Sequence, residues 1–268
     1  MGNQRIPSVL AIAGSDSGGG AGIQADLKAF ARCGVHGMTA VTAITAQNTV
    51  GVQRVEAIAP ATIVAQVGAV AEDIGVDAVK IGMLGSAATV EAVVEALGLV
   101  GNAAVVIDPV MVAESGAILL DQEARRALIE RLLPLTAVAT PNLPEARELT
   151  GLGEGATQEE LARAVRELGP RAVVVTGGHS EDLVDLFFDG ERLVEIPGER
   201  HPDGAAHGSG CTHSSALAAY LARGEEPLEA ARRARVIASD AVGAGLREIG
   251  NGPGPVDALR IREPLWDL

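Results

Sequence analysis

Short runs of wholly apolar residues alternate with longer stretches of helical period along this chain. Residues 8–13 (SVLAIA) predict a buried strand, and a glycine-rich loop leads from it into a helix over 21–33. The run 38–45 is strand-like, and 60–74 is helical with proline in its first turn. Further buried strands are predicted at 78–81, 104–107, 137–139 and 172–176, separated by helices at 87–97, 122–133, 143–149 and 158–168. The segments 183–188 and 192–196, joined by Asp189-Gly190, predict a hairpin. Two helices, 211–222 and 228–245, close the pattern. Strands that are apolar throughout and interleaved with helices imply a mostly parallel sheet covered on both faces. The expectation is one doubly wound α/β domain over residues 1–268.

Composition narrows the choice of partner. Hydrophobic residues make up 47% of the 268 positions and aromatics only 2%, so the core is built from Ala, Val, Leu and Ile. A formal charge of −14 argues against nucleic acid or an anionic membrane as a partner. No apolar run approaches the ~18 residues of a membrane span, and the first residues lack the apolar core of a signal peptide. The two cysteines, Cys33 and Cys211, are far apart and form no metal spacing, which suits a cytoplasmic protein with free thiols.

Gly208-Ser209-Gly210-Cys211 opens the helix at 211–222. A glycine-rich helix start leaves backbone N–H groups without intrahelical partners, and the helix dipole adds to their pull on an anion. A thiol placed there is expected to favour its thiolate. Anion cradle and proton acceptor would then coincide, as transfer of a phosphoryl group to an alcohol requires. The alternative is a structural helix start with a buried cysteine.

Residues 14–22 hold five glycines between the first strand and first helix. Within them Gly20-Ala21-Gly22-Ile23-Gln24-Ala25 matches a dinucleotide fingerprint, but the second strand ends in Gln47-Asn48, not in the carboxylate that would hold a ribose. The only lysines are Lys28 and Lys80, so there is no Walker sequence. Two acidic residues lie just beyond predicted strand ends: Asp108 after 104–107, and Glu145 within Asn142-Leu143-Pro144-Glu145. Mg²⁺ takes one or two carboxylates together with water and phosphate oxygens, and Asn142 and Glu145 are spaced to face one point. Equally, Asn142 and Glu145 read as a helix cap, and Asp108 as a turn residue.

With these pieces in order, the chain resembles the hydroxymethylpyrimidine/phosphomethylpyrimidine kinases of thiamin biosynthesis, within the ribokinase-like superfamily. AGSDSGGGAGIQADLKAF, TAQNTVGV, KIGML, VIDPVM, TPNLPEA, GGH, HGSGCTHSSA and GPGPVDAL carry the resemblance from about residue 11 to 259. It implies a three-layer α/β/α sandwich, ATP, Mg²⁺, a homodimer, and two successive phosphorylations of 4-amino-5-hydroxymethyl-2-methylpyrimidine. By position, Gly208, Ser209, Gly210 and Cys211 are similar to the family's anion hole, with Cys211 as base. Asn142, Glu145 and Asp108 match the metal–phosphate residues. Gly14, Asp26, Gln47, Met83 and Val110 fall where relatives line the pyrimidine pocket, and Thr176, Gly178 and His207 are expected nucleotide contacts.

There are departures. Glu114 and Thr176 stand where relatives commonly carry lysine, and Ala205-Ala206 precede His207 where Thr or Asn is common. His213 is expected to be a helix residue and not a second base. A pyridoxal kinase on the same scaffold is the nearest competing reading, and a nucleotide-binding regulator without turnover is one of another class.

Overall fold

The first apolar run becomes β1 (Ser8–Ser15), buried from Ser8 through Gly14 and lying inside the sheet. The computed structural model describes residues 5–112, 116, 119–178 and 183–263. After β1 come α1 (Gly22–Arg32), β2 (His36–Asn48), β3 (Gly51–Ala57), α2 (Pro60–Asp73), β4 (Ala78–Ile81), α3 (Ala87–Leu97) and β5 (Ala104–Ile107). The second half adds α4 (Gln122–Ala127), β6 (Val138–Ala139), α5 (Leu143–Thr150), α6 (Gln158–Glu167) and β7 (Ala172–Val175). It ends with β8 (Asp185–Phe188), β9 (Leu193–Ile196), α7 (Ser209–Ala222) and α8 (Pro227–Gly243).

These strands form one sheet in the order β3-β2-β1-β4-β5-β6-β7-β8-β9. From β2 to β7 every pairing is parallel, and the antiparallel pairs lie at the two edges. Alternation across the sheet divides the core. Leu10, Ile12, Val79, Ile81, Ile107 and Val173 face one layer, where Ile63 and Val67 of α2 and Val90 and Val93 of α3 meet them. Val9, Ala11, Val106, Val138 and Val174 face the other, against Phe30 of α1, 216–219 of α7 and Ala230, Ala231 and Ala234 of α8. The result is the expected three-layer α/β/α sandwich with a mostly parallel sheet.

Three elements depart from expectation. β3 carries no apolar run because residues 53–57 are exposed, and its pairing with β2 alone makes it a strand. The helix expected over 122–133 keeps α geometry only to Ala127, then passes through a wide turn at Leu128–Leu132 and a tight one at Leu133–Leu135. Pro134, which lacks an N–H and crowds the preceding turn, sits in that last piece. α7 begins at Ser209, earlier than expected, because Gly208 at φ 86° caps it. No helix among the described residues is long and apolar enough to cross a membrane.

Candidate active site

Parallel strands carry their functional residues just past their C-terminal ends. Here β1 runs into the loop of Asp16, β4 into Met83, β5 into Asp108 and β6 into Asn142. Together with the start of α7 they wall a cavity of about 860 Å³.

The glycine loop after β1 is organised by Asp16, which no pattern in the chain singles out. Asp16 accepts hydrogen bonds from the amides of Gly18 (2.8 Å), Gly20 (3.1 Å) and Ala21 (2.8 Å). His207 Nε2 lies 3.2 Å from the same carboxylate. Burial works against the Asp16 charge, but the His207 and amide bonds outweigh it and hold the carboxyl below its ordinary value. The loop amides are thus committed to Asp16 and are not open for a pyrophosphate. Gly208 must be glycine twice over: its φ is positive, and a Cβ there would run into the Gly20 carbonyl oxygen.

At the start of α7, Ser209 N–H turns back to Ala206 O (2.9 Å), and Thr212 N–H makes the first intrahelical bond, to Gly208 O (2.9 Å). Helix geometry gives the Gly210 and Cys211 amides no intrahelical acceptor, and both residues lie on the cavity wall. Three and four residues beyond Cys211, on the same helix face, Ser214 Oγ donates to Asp108 Oδ2 (3.2 Å) and Ser215 Oγ to Asp26 Oδ1 (2.7 Å). Asp26 Oδ1 also takes the Lys80 ammonium at 2.7 Å, and neither side chain is exposed at all.

Two expectations are corrected here. Asp26, expected against the pyrimidine, is wholly buried and not on the cavity wall, with its Oδ1 held by both Lys80 and Ser215. The Cys211 thiol is not depressed toward thiolate. Burial, with Asp26 and Asp108 adding negative charge, pushes it up to about 12 against the pull of Lys80 and the Gly22 N–H. A helix start alone favours the thiolate, and burial of the sulfur, seconded by Asp26 and Asp108, reverses the sign.

Asn142 and Glu145 form the reciprocal cap: Asn142 Oδ1 accepts from Glu145 N and Glu145 Oε2 from Asn142 N, both at 2.9 Å. Glu145 still reaches the cavity wall. Burial and the nearby Asp108 push its carboxyl up to about 8, and burial also raises Asp108. Two buried carboxyls that resist ionising side by side are an oxygen site short of positive charge, which fits Mg²⁺. No group of three or more His, Cys, Asp or Glu among the described residues would hold an ion by itself. That suits a metal completed by water and phosphate oxygens.

Thr176 and Gly178 line the far end of the cavity, where Thr176 bridges Asn142. Asp185 organises this end: its Oδ1 accepts from Gly177 N (2.8 Å) and lies 3.4 Å from Arg235 Nη1. His213 is a buried residue of α7 whose Nε2 lies 3.5 Å from Asp185 Oδ2, and burial lowers its proton affinity, as befits a neutral helix residue. Gly14, Gln47, Met83 and Val110 also line the cavity, with Gln47 Oε1 taking the Thr45 hydroxyl at 3.3 Å. The structure therefore gathers every predicted site residue on one cavity except Asp26. Glu114 lies outside the described residues. Asp16, Lys80, Asp185 and Arg235 went unpredicted, and only Lys80 left a signal, as a charge inside an otherwise apolar strand.

The family model for phosphomethylpyrimidine kinase matches residues 16–257. The hydroxymethylpyrimidine/phosphomethylpyrimidine kinase of Rhizobium meliloti (strain 1021) is 50% identical over 253 residues, 92% of this chain and 95% of that one. Among solved structures, pyridoxal kinase from Staphylococcus aureus in complex with ADP superposes with a TM-score of 0.88 at 33% identity, over 97% of this chain and 96% of the other. Phosphomethylpyrimidine kinase from Clostridium difficile 630 superposes with a TM-score of 0.78 at 41% identity, over 89% of this chain and all of the other.

Proposed function

The chain belongs to the phosphomethylpyrimidine kinase family, and we propose from that premise how its cavity phosphorylates 4-amino-5-hydroxymethyl-2-methylpyrimidine and then the monophosphate. The activity is that of a kinase of thiamin biosynthesis using ATP. The observation that carries the residue assignments is one cavity lined by Gln47 and Met83 and by the glycine-rich start of α7 with Cys211.

In this reading the Gln47 amide orients the aminopyrimidine edge, since it both donates and accepts. Val110, Met83 and Gly14 flank the ring. The γ-phosphoryl lies over the Gly210 and Cys211 amides, whose partial charge meets the negative charge of transfer. Gly208 sets the turn that aims these amides, and Ser209 adds a hydroxyl beside them. The nucleotide reaches back toward Thr176, Gly178 and His207. Asp108, Glu145 and Asn142 would hold Mg²⁺, which when bound neutralises phosphate charge.

In the first step the hydroxymethyl oxygen attacks the γ-phosphorus, the bond to ADP breaks, and the alcohol proton passes to Cys211 Sγ, whose own thiol proton has first gone to solvent. The charge of Asp108 opposes that ionisation, and a bound cation would offset it. In the second step an oxygen of the monophosphate attacks and no alcohol proton is removed. The enzyme functions in the cytoplasm as a homodimer of one-domain chains, the usual state of the enzymes it resembles. Parallel turnover of the hydroxymethylpyrimidine, its monophosphate and pyridoxal tests the reading. Preference for pyridoxal would move the protein to the activity named for its Staphylococcus aureus structural neighbour.

A further inference from the structure

The Asp26–Lys80 pair has no part in the chemistry above, yet among the described residues it is the ion pair whose two side chains are both wholly buried, at 2.7 Å. Taking two charges out of water seldom stabilises a fold beyond what apolar residues of similar size would supply. Asp26 Oδ2 is in addition a buried oxygen without a hydrogen-bond partner. Such a pair is better explained by what its field does than by stability.

Its orientation is specific. Ser215, one turn beyond Cys211 on α7, holds the Asp26 carboxylate, and the Lys80 stem rises from β4, which pairs with β5 just before Asp108. Lys80 reaches the cavity floor and Asp26 does not. At Cys211 the pull of the ammonium outweighs the push of the Asp26 carboxylate behind it. The pair is therefore a dipole with its positive end toward the reacting groups, surrounded by Asp26, Asp108 and, beyond Asp108, Glu145.

Building on the two-step reading, we propose that Lys80, fixed by Asp26, is a positioning residue whose field admits the anionic acceptor of the second phosphorylation. The alcohol is neutral, so a nearby charge changes its binding little. The monophosphate brings negative charge to the cavity that Lys80 lines, and the buried ammonium offsets it. A unit charge a few ångströms away, at an effective dielectric of about 20, changes a rate or affinity on the order of tenfold or more.

The test compares kcat and KM for the alcohol and the monophosphate, at fixed ATP and Mg²⁺, in wild type, Lys80→Arg, Asp26→Asn and the double variant Lys80→Met with Asp26→Asn. The double variant should remain folded, with monophosphate kcat/KM falling about tenfold further than alcohol kcat/KM, chiefly through KM. Lys80→Arg should recover part of that selectivity. Asp26→Asn, which leaves the ammonium unopposed, should shift selectivity toward the monophosphate and keeps the test open should the double variant fail to fold. Parallel losses on both acceptors in every variant would overturn the proposal and leave the pair structural. A wild type that turns over the alcohol alone would overturn the two-step reading, and this inference with it.

Discussion

His207 Nε2 lies 3.2 Å from Asp16 Oδ2, a contact that joins the chain's two glycine-rich segments across 191 positions. The carboxylate also gathers the amides of Gly18, Gly20 and Ala21, so it fixes the loop after β1 against the residue preceding the start of α7. Asp16→Ala leaves those donors without their acceptor, at roughly 1–3 kcal/mol for each one that stays buried. We expect a lower melting temperature and a larger fall in kcat/KM than in Asp16→Asn, which keeps one acceptor oxygen. Unfolding of Asp16→Ala at the wild-type temperature would show that water takes over the amides.

Gln47 is expected to read the aminopyrimidine. Gln47→Leu keeps much of the volume and leaves the ring nitrogen and amine unpaired, at about 1–3 kcal/mol per buried group. Calorimetry should show weaker hydroxymethylpyrimidine binding with ATP binding retained. Equal losses for both ligands would mean a damaged fold and would remove Gln47 from the site.

Cys211→Ala should lose on the order of 10²–10⁴-fold in alcohol phosphorylation, the usual contribution of a general base, while retaining more of the monophosphate step. Cys211→Asp should restore part of the first activity. Because the resting thiol is pushed up to about 12, its deprotonated form grows as pH rises, so alcohol kcat/KM should climb with pH through the neutral range and flatten in Cys211→Ala. An alanine variant at the wild-type rate would make Cys211 packing alone.

Burial and Asp108 raise Glu145 from an ordinary 4.5 to about 8. Between those pH values the unfolded chain has released a proton that the folded protein still holds. Stability linked to this group is whole below the ordinary value and is lost as pH rises toward about 8, by on the order of a few kcal/mol. Glu145→Gln should flatten that slope in ligand-free protein and weaken Mg²⁺-dependent turnover. Mg²⁺ should raise the wild-type denaturation midpoint more at pH 8 than at pH 5. Wild-type rates for Glu145→Gln across a magnesium titration would leave Glu145 as a cap only.

Where burial is two-sided the sequence was legible, as in β4 and β5, whose apolar runs match their observed bounds. β3 was not, because an exposed edge strand owes its form to its partner and carries no pattern of its own. The cavity residues were found from their place beyond strand ends and from family resemblance. Asp16 was missed because its acceptor role depends on how the loop curls around it. Asp26 was misplaced because resemblance locates a residue along α1 but not which way its carboxylate is claimed. The direction of the Cys211 shift depended first on how deeply the fold buries the sulfur, and then on Asp26 and Asp108, neighbours from two other elements.

α7 spans Ser209–Ala222 yet lies against α1, β1, β4 and β5, all made from the first 107 residues. During synthesis the early elements emerge first. A nascent chain that has reached β7 displays Val9, Ala11, Val106 and Val174 on a sheet face still waiting for its cover. Asp26 and Lys80 are then already made, but Ser215 is not. The interval before α7 appears is the period in which this chain is most exposed to aggregation. A message cut short within it yields an adhesive sheet, not a slow enzyme.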